Sequence, residues 1–393
     1  MVSTEYPPMH GGVGRYTEKL VASLRKKGIG VVVICNKQGD GDFSGLSPYN
    51  KKNSNVLINL SNEINPDLIH VQYEQGMYGI HLDPINPLRA KTSIEEFYEK
   101  CNIPIVTTFH SAYTFRQWMN LVVPMKATKL GKLGVYCRRT YDYWTHLINY
   151  NSFCKLNKRK IGPKRAGIVF SKYLANLIPG THLIYHGSEK AVINPPNKQQ
   201  IRKLFSIPND KRIALAFGFA TATKGWDIIK KMDIPHNWKI IVNSSKNHYN
   251  TESSQNRIHN PGVIQINRGF LSEQELSLLL HCSDALILPY KVSSGSGVMF
   301  DGFAHNLPFV SSDIEFFREF SSMGLGISVK RNPRYFSNAL IELDKNMEKY
   351  KKSVHEFSTR LTWEEVADKH LYLYEKLCDN IQQLALINKD VAL

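Results

Sequence analysis

Hydrophobic positions along the chain alternate between two spacings. Val13, Tyr16, Leu20, Val21 and Leu24 recur every three or four residues, which predicts a helix that Gly28 ends. Residues 31–35 then form an unbroken β-branched run, the pattern of a strand buried on both faces. Residues 68–71, 103–108 and 167–170 read as further strands. The second half repeats this order, with strands expected at 213–217, 239–242, 263–266, 285–288 and 309–311. Helices are expected between them at 226–232, 272–281 and 297–305. Strands separated by helices predict an α/β protein with parallel, doubly wound sheets.

A chain of 393 residues exceeds what one core usually supports, so two domains are expected. Pro195-Pro196-Asn197 breaks the pattern and sets the boundary within residues 185–197. The reading is one Rossmann-like domain at 1–190 and a second at 191–361, facing each other across a cleft. In residues 362–393, Thr362 and Glu365 fit a capping box ahead of an apolar stripe of Val366, His370, Tyr374 and Leu377. That stripe predicts a helix returning to the first domain. Residues 1–4 read as the end of a strand, and strands usually run five or six residues. Strand residues upstream of Met1 are therefore expected.

Composition narrows the class. Hydrophobic residues make up 42% of the chain, which is enough for two cores and excludes wholesale disorder. Six widely spaced cysteines without a C-x-x-C pair predict neither a zinc site nor a disulfide framework, and reduced thiols fit the cytoplasm. No apolar run approaches the roughly 18 residues of a spanning helix. The net charge of +16 favours anionic partners, namely nucleotide-activated substrates, lipid headgroups or nucleic acid.

Three constellations carry candidate chemistry. In the stretch 290–312, a strand ends at Pro289, a loop holding Ser293 and Ser296 follows, and a helix starts at Gly297-Val298. Exposed N–H groups at a glycine-bearing helix start make a phosphate site. Asp301, one turn further on, can accept from a ribose diol. The second constellation is the loop from Phe219 to Lys224 and Gly225, followed in the chain by Asn267-Arg268-Gly269-Phe270. The third is Gly11-Gly12-Val13-Gly14-Arg15, whose spacing is not the dinucleotide fingerprint. Cys35-Asn36-Lys37 stands where that fingerprint needs an acid, which disfavours nicotinamide chemistry. His110 follows a predicted strand, as site residues of parallel sheets do. Gln72-Tyr73-Glu74 and His186-Gly187 also follow strands. No D-x-D after a strand and no H-E-x-x-H is present, so no metal is expected.

In this order the constellations resemble glycosyltransferase family 4 over residues 11–377. The resemblance implies the GT-B fold and transfer of a sugar from a nucleotide-diphosphate sugar to an acceptor hydroxyl, with retention and without a cofactor. Aligned on Ala304-His305-Asn306-Leu307-Pro308-Phe309-Val310, the family's two motif glutamates fall on Ser293 and Asp301. Asp301 keeps a carboxylate and Ser293 does not. Lys224 matches the lysine that pairs with the diphosphate, Phe219 replaces an expected arginine, and Arg268 is a substitute cation. The resemblance places Gly12 and Gly14 against donor phosphates and sugar, and His110 beside the donor sugar. The candidate catalytic residues are His110, Lys224 and Asp301. The donor set adds Gly12, Gly14, Phe219, Arg268, Phe270, Ser293, Ser296, Gly297 and Val298.

Residues 126–165 differ in kind, with Lys126, Lys129, Arg138, Lys158 and Arg165 interleaved with Tyr141 and Trp144. Basic residues beside aromatics fit a membrane interface, single-stranded nucleic acid, or a solvated basic helical pair. With the enzyme reading they predict peripheral membrane contact and a lipid-linked acceptor on the cytoplasmic face, ahead of a soluble glycan or small molecule; nucleic acid is disfavoured. Three alternatives stay open: a degraded homologue acting as a binding subunit, a GT-B epimerase or phosphorylase, and a nucleic-acid-binding protein.

Overall fold

A computed structural model describes residues 1–82, 90–120, 164–246 and 258–390, together with Gly134, Cys137, Thr140, Tyr141 and Trp144. The described residues form two compact units. The first takes Met1–Met119, the chain up to Tyr185, and the residues from Glu364 onward; the second runs from His186 to Trp363.

The first unit is built on parallel strands. β1 (Ile34–Asn36) pairs with β2 (Phe43–Leu46), and β3 (Ile69–Tyr73) lies beside β6 (Ile105–Phe109), β7 (Arg165–Val169) and β8 (His182–Leu183), in that order. Val2 bridges Ile34 and Val71 in parallel, so the chain around Val2 occupies the place between β1 and β3. β4 (Ile80–Leu82) and β5 (Ala90–Thr92) form a separate antiparallel pair. Helix α1 (Gly12–Lys26) buries Tyr16, Leu20, Val21 and Leu24, the stripe its spacing predicts. The run 31–35 becomes a strand only from Ile34. Arg25 donates to the Val31 carbonyl and Asp42 accepts from the Val33 N–H, both at 2.7 Å, so side chains replace ladder partners there.

The C-terminal helix Trp363–Asp390 docks on the first unit from Glu364 onward. His370 Nε2 lies 3.3 Å from Tyr16 Oη, and Lys27 pairs with Asp368 at 2.7 Å. Most of the basic stretch 126–165 lies outside the described residues. Arg165 is described, and it corrects the expectation of a surface charge there. It is buried in β7, and its guanidinium donates to the carbonyls of Ile103 (2.7 Å) and Cys101 (2.6 Å). A buried arginine needs such partners, and these carbonyls use its donors. Tyr141 and Trp144 are exposed. Among the described residues no helix is long and apolar enough to cross a membrane.

The second unit has six parallel strands: β9 (Arg212–Phe219), β10 (Trp238–Ser245), β11 (Val263–Gln265), β12 (Ala285–Leu288), β13 (Phe309–Ser312) and β14 (Gly326–Val329). Their order is β11-β10-β9-β12-β13-β14, so the chain changes direction across the sheet between β9 and β12. One core gathers Trp226, Trp238, Ile240, Phe336 and Leu340. Phe300, Phe303, Phe316, Phe320 and Phe357 pack ring to ring in a second cluster.

At the amino ends of β9 and β12, buried Asp284 accepts from Lys198 (2.6 Å), Arg202 (3.0 Å) and the Ile213 N–H (2.8 Å). Burial pushes its carboxyl upward, but Lys198, the backbone bond and Arg202 outweigh this and hold it below the usual range. Asp284→Ala would strand Arg202 inside and is expected to cost about 3–5 kcal/mol in denaturant unfolding. Because the folded value is depressed, Asp284's contribution is present above an unfolded pKa of about 4 and lost as pH falls through the folded value. The stability gap between wild type and Asp284→Asn should therefore close in acid.

Candidate functional site

The loops after β9 and β12 leave a parallel sheet at its point of reversal, where open α/β sheets bind ligands at the carboxyl ends of strands. Gly225 makes their approach possible. Its φ is +77°, and a Cβ there would lie 1.8 Å from the Pro289 carbonyl oxygen. The Lys291 N–H donates to the Thr223 carbonyl at 2.8 Å and ties the two loops together. Lys224 consequently sets its Nζ 4.0 Å from the centroid of the Tyr290 ring. No carboxylate among the described residues pairs with this ammonium. Tyr290 is buried and its hydroxyl has no hydrogen-bond partner.

The β12 loop continues into the helix Gly297–Ala304. Ser293 is buried and donates to the Gly295 carbonyl at 2.7 Å, which shapes the loop. Ser296 caps the helix by accepting from the Met299 N–H at 3.3 Å. The N–H groups of Gly297 and Val298 belong to the first turn, which has no intrahelical acceptors for them. His186 stacks on Phe300 with centroids 5.4 Å apart, and its Nδ1 donates to the Gly187 carbonyl at 2.7 Å. Asp301 is 4% exposed, and its Oδ1 accepts from Ser188 at 3.1 Å.

Structure thus brings Phe219, Lys224, Ser293, Ser296, Gly297 and Val298 to the carboxyl edge of one sheet, with Asp301 buried one turn behind. Arg268 and Phe270 sit on the loop after β11, held to β10 by Asn243, which donates to the Gly269 carbonyl at 2.8 Å. Arg268 is engaged in place, paired with Glu275 at 3.1 Å and stacked 4.8 Å over the Phe205 ring. Phe270 is exposed. Tyr290 and Ser188 received no role from the sequence. An aromatic residue directly after the strand-ending Pro289 was the available signal for the first; for the second it was the neighbouring His186-Gly187.

The remaining candidates lie in the first unit. Gly14 lies in the first turn of α1 and donates its N–H to Glu5 Oε1 at 2.9 Å, so a carboxylate of this chain already caps the helix. A Cβ at Gly11 would lie 1.8 Å from the Glu5 carboxyl carbon, which is why glycine stands there. A side chain at Gly12 would meet nothing within 4 Å. His110 follows β6, and its Nε2 lies 2.8 Å from Gln72 Oε1. Its ring packs edge-on against Tyr16 and Phe170.

Glu74 follows β3 directly. Burial pushes its carboxyl up to about 7; the buried Ser111 hydroxyl, which makes no well-formed hydrogen bond, opposes this, and the charge of Glu5 adds to it. Among the described residues no group of three or more His, Cys, Asp or Glu is placed to hold a metal ion. A raised acid binds its proton more tightly folded than unfolded, so it opposes folding as pH rises from about 4 through 7. Glu74→Gln should raise the Tm at pH 8 and leave it nearly unchanged at pH 4, read by calorimetry at both values.

No protein-family model and no curated protein sequence matches the chain. Solved structures do. A sucrose-phosphate synthase from Thermosynechococcus elongatus is similar over 93% of this chain and 94% of its own, at 15% identity and TM-score 0.66. A glycosyltransferase from Rickettsia africae is similar over 96% and 97%, at 14% identity and TM-score 0.63. HepE from Anabaena, solved in complex with UDP-glucose, is similar over 97% and 99%, at 11% identity and TM-score 0.61. With two Rossmann-like units and this likeness over nearly its whole length, the chain has the GT-B glycosyltransferase fold.

Proposed function

We propose that the protein is a retaining, metal-independent glycosyltransferase of the family 4 kind, moving a sugar from a nucleotide-diphosphate sugar to an acceptor hydroxyl. The observation that carries this reading is that Lys224, over the Tyr290 ring, and the helix start at Ser296-Gly297-Val298 stand on the two loops that part at the reversal of the second sheet and are tied together by the Lys291–Thr223 bond. In this reading those groups hold the diphosphate. As the bond from the anomeric carbon to the diphosphate oxygen breaks, negative charge gathers on the leaving group. The Lys224 ammonium and the helix amides stabilise that charge, with the helix dipole adding to it. A bond to the acceptor oxygen forms on the same face, and the acceptor's proton passes to a phosphate oxygen of the departing diphosphate. Asp301 takes the ribose hydroxyls while sharing its carboxylate with Ser188. By the family resemblance, His110 is assigned to orient a hydroxyl of the donor sugar.

A second reading, nucleotide binding without turnover, draws on Phe219 and Arg268. The first brings no charge, and the second spends its guanidinium on Glu275. Lys224 would then hold the diphosphate as a lone side-chain cation.

A thermal-shift panel of UDP, GDP, ADP and their sugar conjugates tests the site. One nucleotide series should raise the Tm, and Lys224→Ala should abolish that rise. With that series as donor, Lys224→Ala should lower kcat/KM by roughly 10²–10³, the usual loss for one group stabilising a developing charge. No shift with any nucleotide from folded protein would overturn the reading. A shift without sugar release favours binding alone, and product without added acceptor points to an epimerase.

A further inference from the structure

His70 and Gln72 are two residues apart on β3, so they lie on one face of the strand. They are 3% and 0% exposed, so bulk solvent does not satisfy their polar atoms. Gln72 Oε1 lies 2.8 Å from His110 Nε2, across on the neighbouring chain after β6. The Gln72 amide nitrogen lies 3.3 Å from His70 Nε2 and 3.2 Å from Met1 Sδ. His70 Nε2 is also 2.7 Å from Thr108 Oγ1, and His70 Nδ1 is 2.5 Å from the Tyr374 hydroxyl.

A buried amide in such a chain has a direction. Its NH2 donates and its oxygen accepts, so turning it over reverses every bond along the line. The thioether of Met1 is a weak acceptor and cannot donate, which sets the NH2 group on that side. The amide oxygen then faces His110, whose Nε2 must donate. At the other end His70 Nε2 accepts from the amide and from the Thr108 hydroxyl. The single proton of His70 therefore sits on Nδ1, donated to the Tyr374 oxygen. Burial, then the nearby His370, keeps His70 uncharged, as one N–H per ring requires.

We propose that Gln72 is a positioning residue that holds uncharged His110 in the Nε2–H tautomer, and that the His70–Tyr374 pair fixes the direction of the Gln72 amide. Nδ1 of His110 is then a nitrogen that can accept a hydrogen bond and cannot give one. Tyr374 stands on the C-terminal helix, so this helix sets a ring nitrogen near the end of β6. The tautomer assignment holds whatever the protein's activity; its consequence for substrate rests on the glycosyl-transfer reading.

Long-range ¹H–¹⁵N correlation of the histidine rings in the ¹⁵N-labelled full chain tests it, at a pH where the rings are uncharged. His110→Asn and His70→Asn variants assign the signals. The expected pattern is a protonated Nε2 on His110 and a protonated Nδ1 on His70. The opposite pattern on both rings means a reversed amide and overturns the proposal. In Gln72→Glu the carboxylate still accepts, and His110 should keep Nε2–H. In Gln72→Leu, His110 should shift towards a mixture of tautomers, and an unchanged signal would overturn the positioning role.

His370 is the control for folding, because its Nδ1 is fixed by the Val366 carbonyl at 2.7 Å and its pattern survives only in folded protein. If a variant loses the His370 pattern, the wild-type spectrum alone decides the proposal. Should the histidine patterns hold while no sugar nucleotide binds or turns over, the glycosyl-transfer reading fails and the positioning role stands.

Discussion

The backbone at Gly225 passes so close to the Pro289 carbonyl that no other residue fits, and the geometry of the second unit's candidate site follows from that approach. Two loops leaving neighbouring parallel strands normally diverge to opposite faces of the sheet, because the order of the strands reverses between them. The Lys291–Thr223 bond and the left-handed turn at Gly225 keep them in contact. Lys224 is thereby placed over Tyr290, and the capped helix start at Ser296 begins a few residues further on. A cation and a helix start are thereby carried on two loops at the same edge of one sheet.

The first unit achieves order of another kind. Its centre holds histidines, tyrosines, threonines and a glutamine, which would be costly to bury without partners. Hydrogen bonds join these groups across β3, β6, α1 and the C-terminal helix. Burial keeps His70 neutral and lowers His370 to about 4, so these two rings carry hydrogen bonds without charge. Glu74 is the exception, an acid left near neutrality beside the Glu5 carboxylate that caps α1.

The basic excess of the chain does not translate directly into an anion-binding surface. Arg165 and Arg202 are buried, and their guanidinium groups bond to backbone carbonyls. Lys198 and Arg202 neutralise Asp284, and Arg268 pairs with Glu275. Part of the charge is thus architectural, and net charge by itself is a weak guide to partners.

Much of the fold was legible in local pattern. β12 falls where the apolar run 285–288 puts it, and the helix at 297 starts where the glycine and serine spacing puts it. These elements obey short-range rules of burial periodicity and capping, which a sequence displays directly. β14 and the helices Pro333–Lys345 and Met347–Ser358 lie outside the elements expected from the sequence, although Phe336, Leu340 and Leu343 carry a helical stripe. Arg165 reads as a surface charge in the sequence, because a basic residue looks alike in a chain whether carbonyls or water surround it.

Sequence alone therefore determined the alternation of strands and helices, the glycine positions and the chemical inventory of the loops, all set by neighbours in the chain. Tertiary structure decided which strands lie side by side, that Lys224 meets Tyr290, that Asp301 sits buried against Ser188, and which nitrogen of His110 faces Gln72. Each of these depends on groups brought together from distant parts of the chain, from two residues with no common local signal.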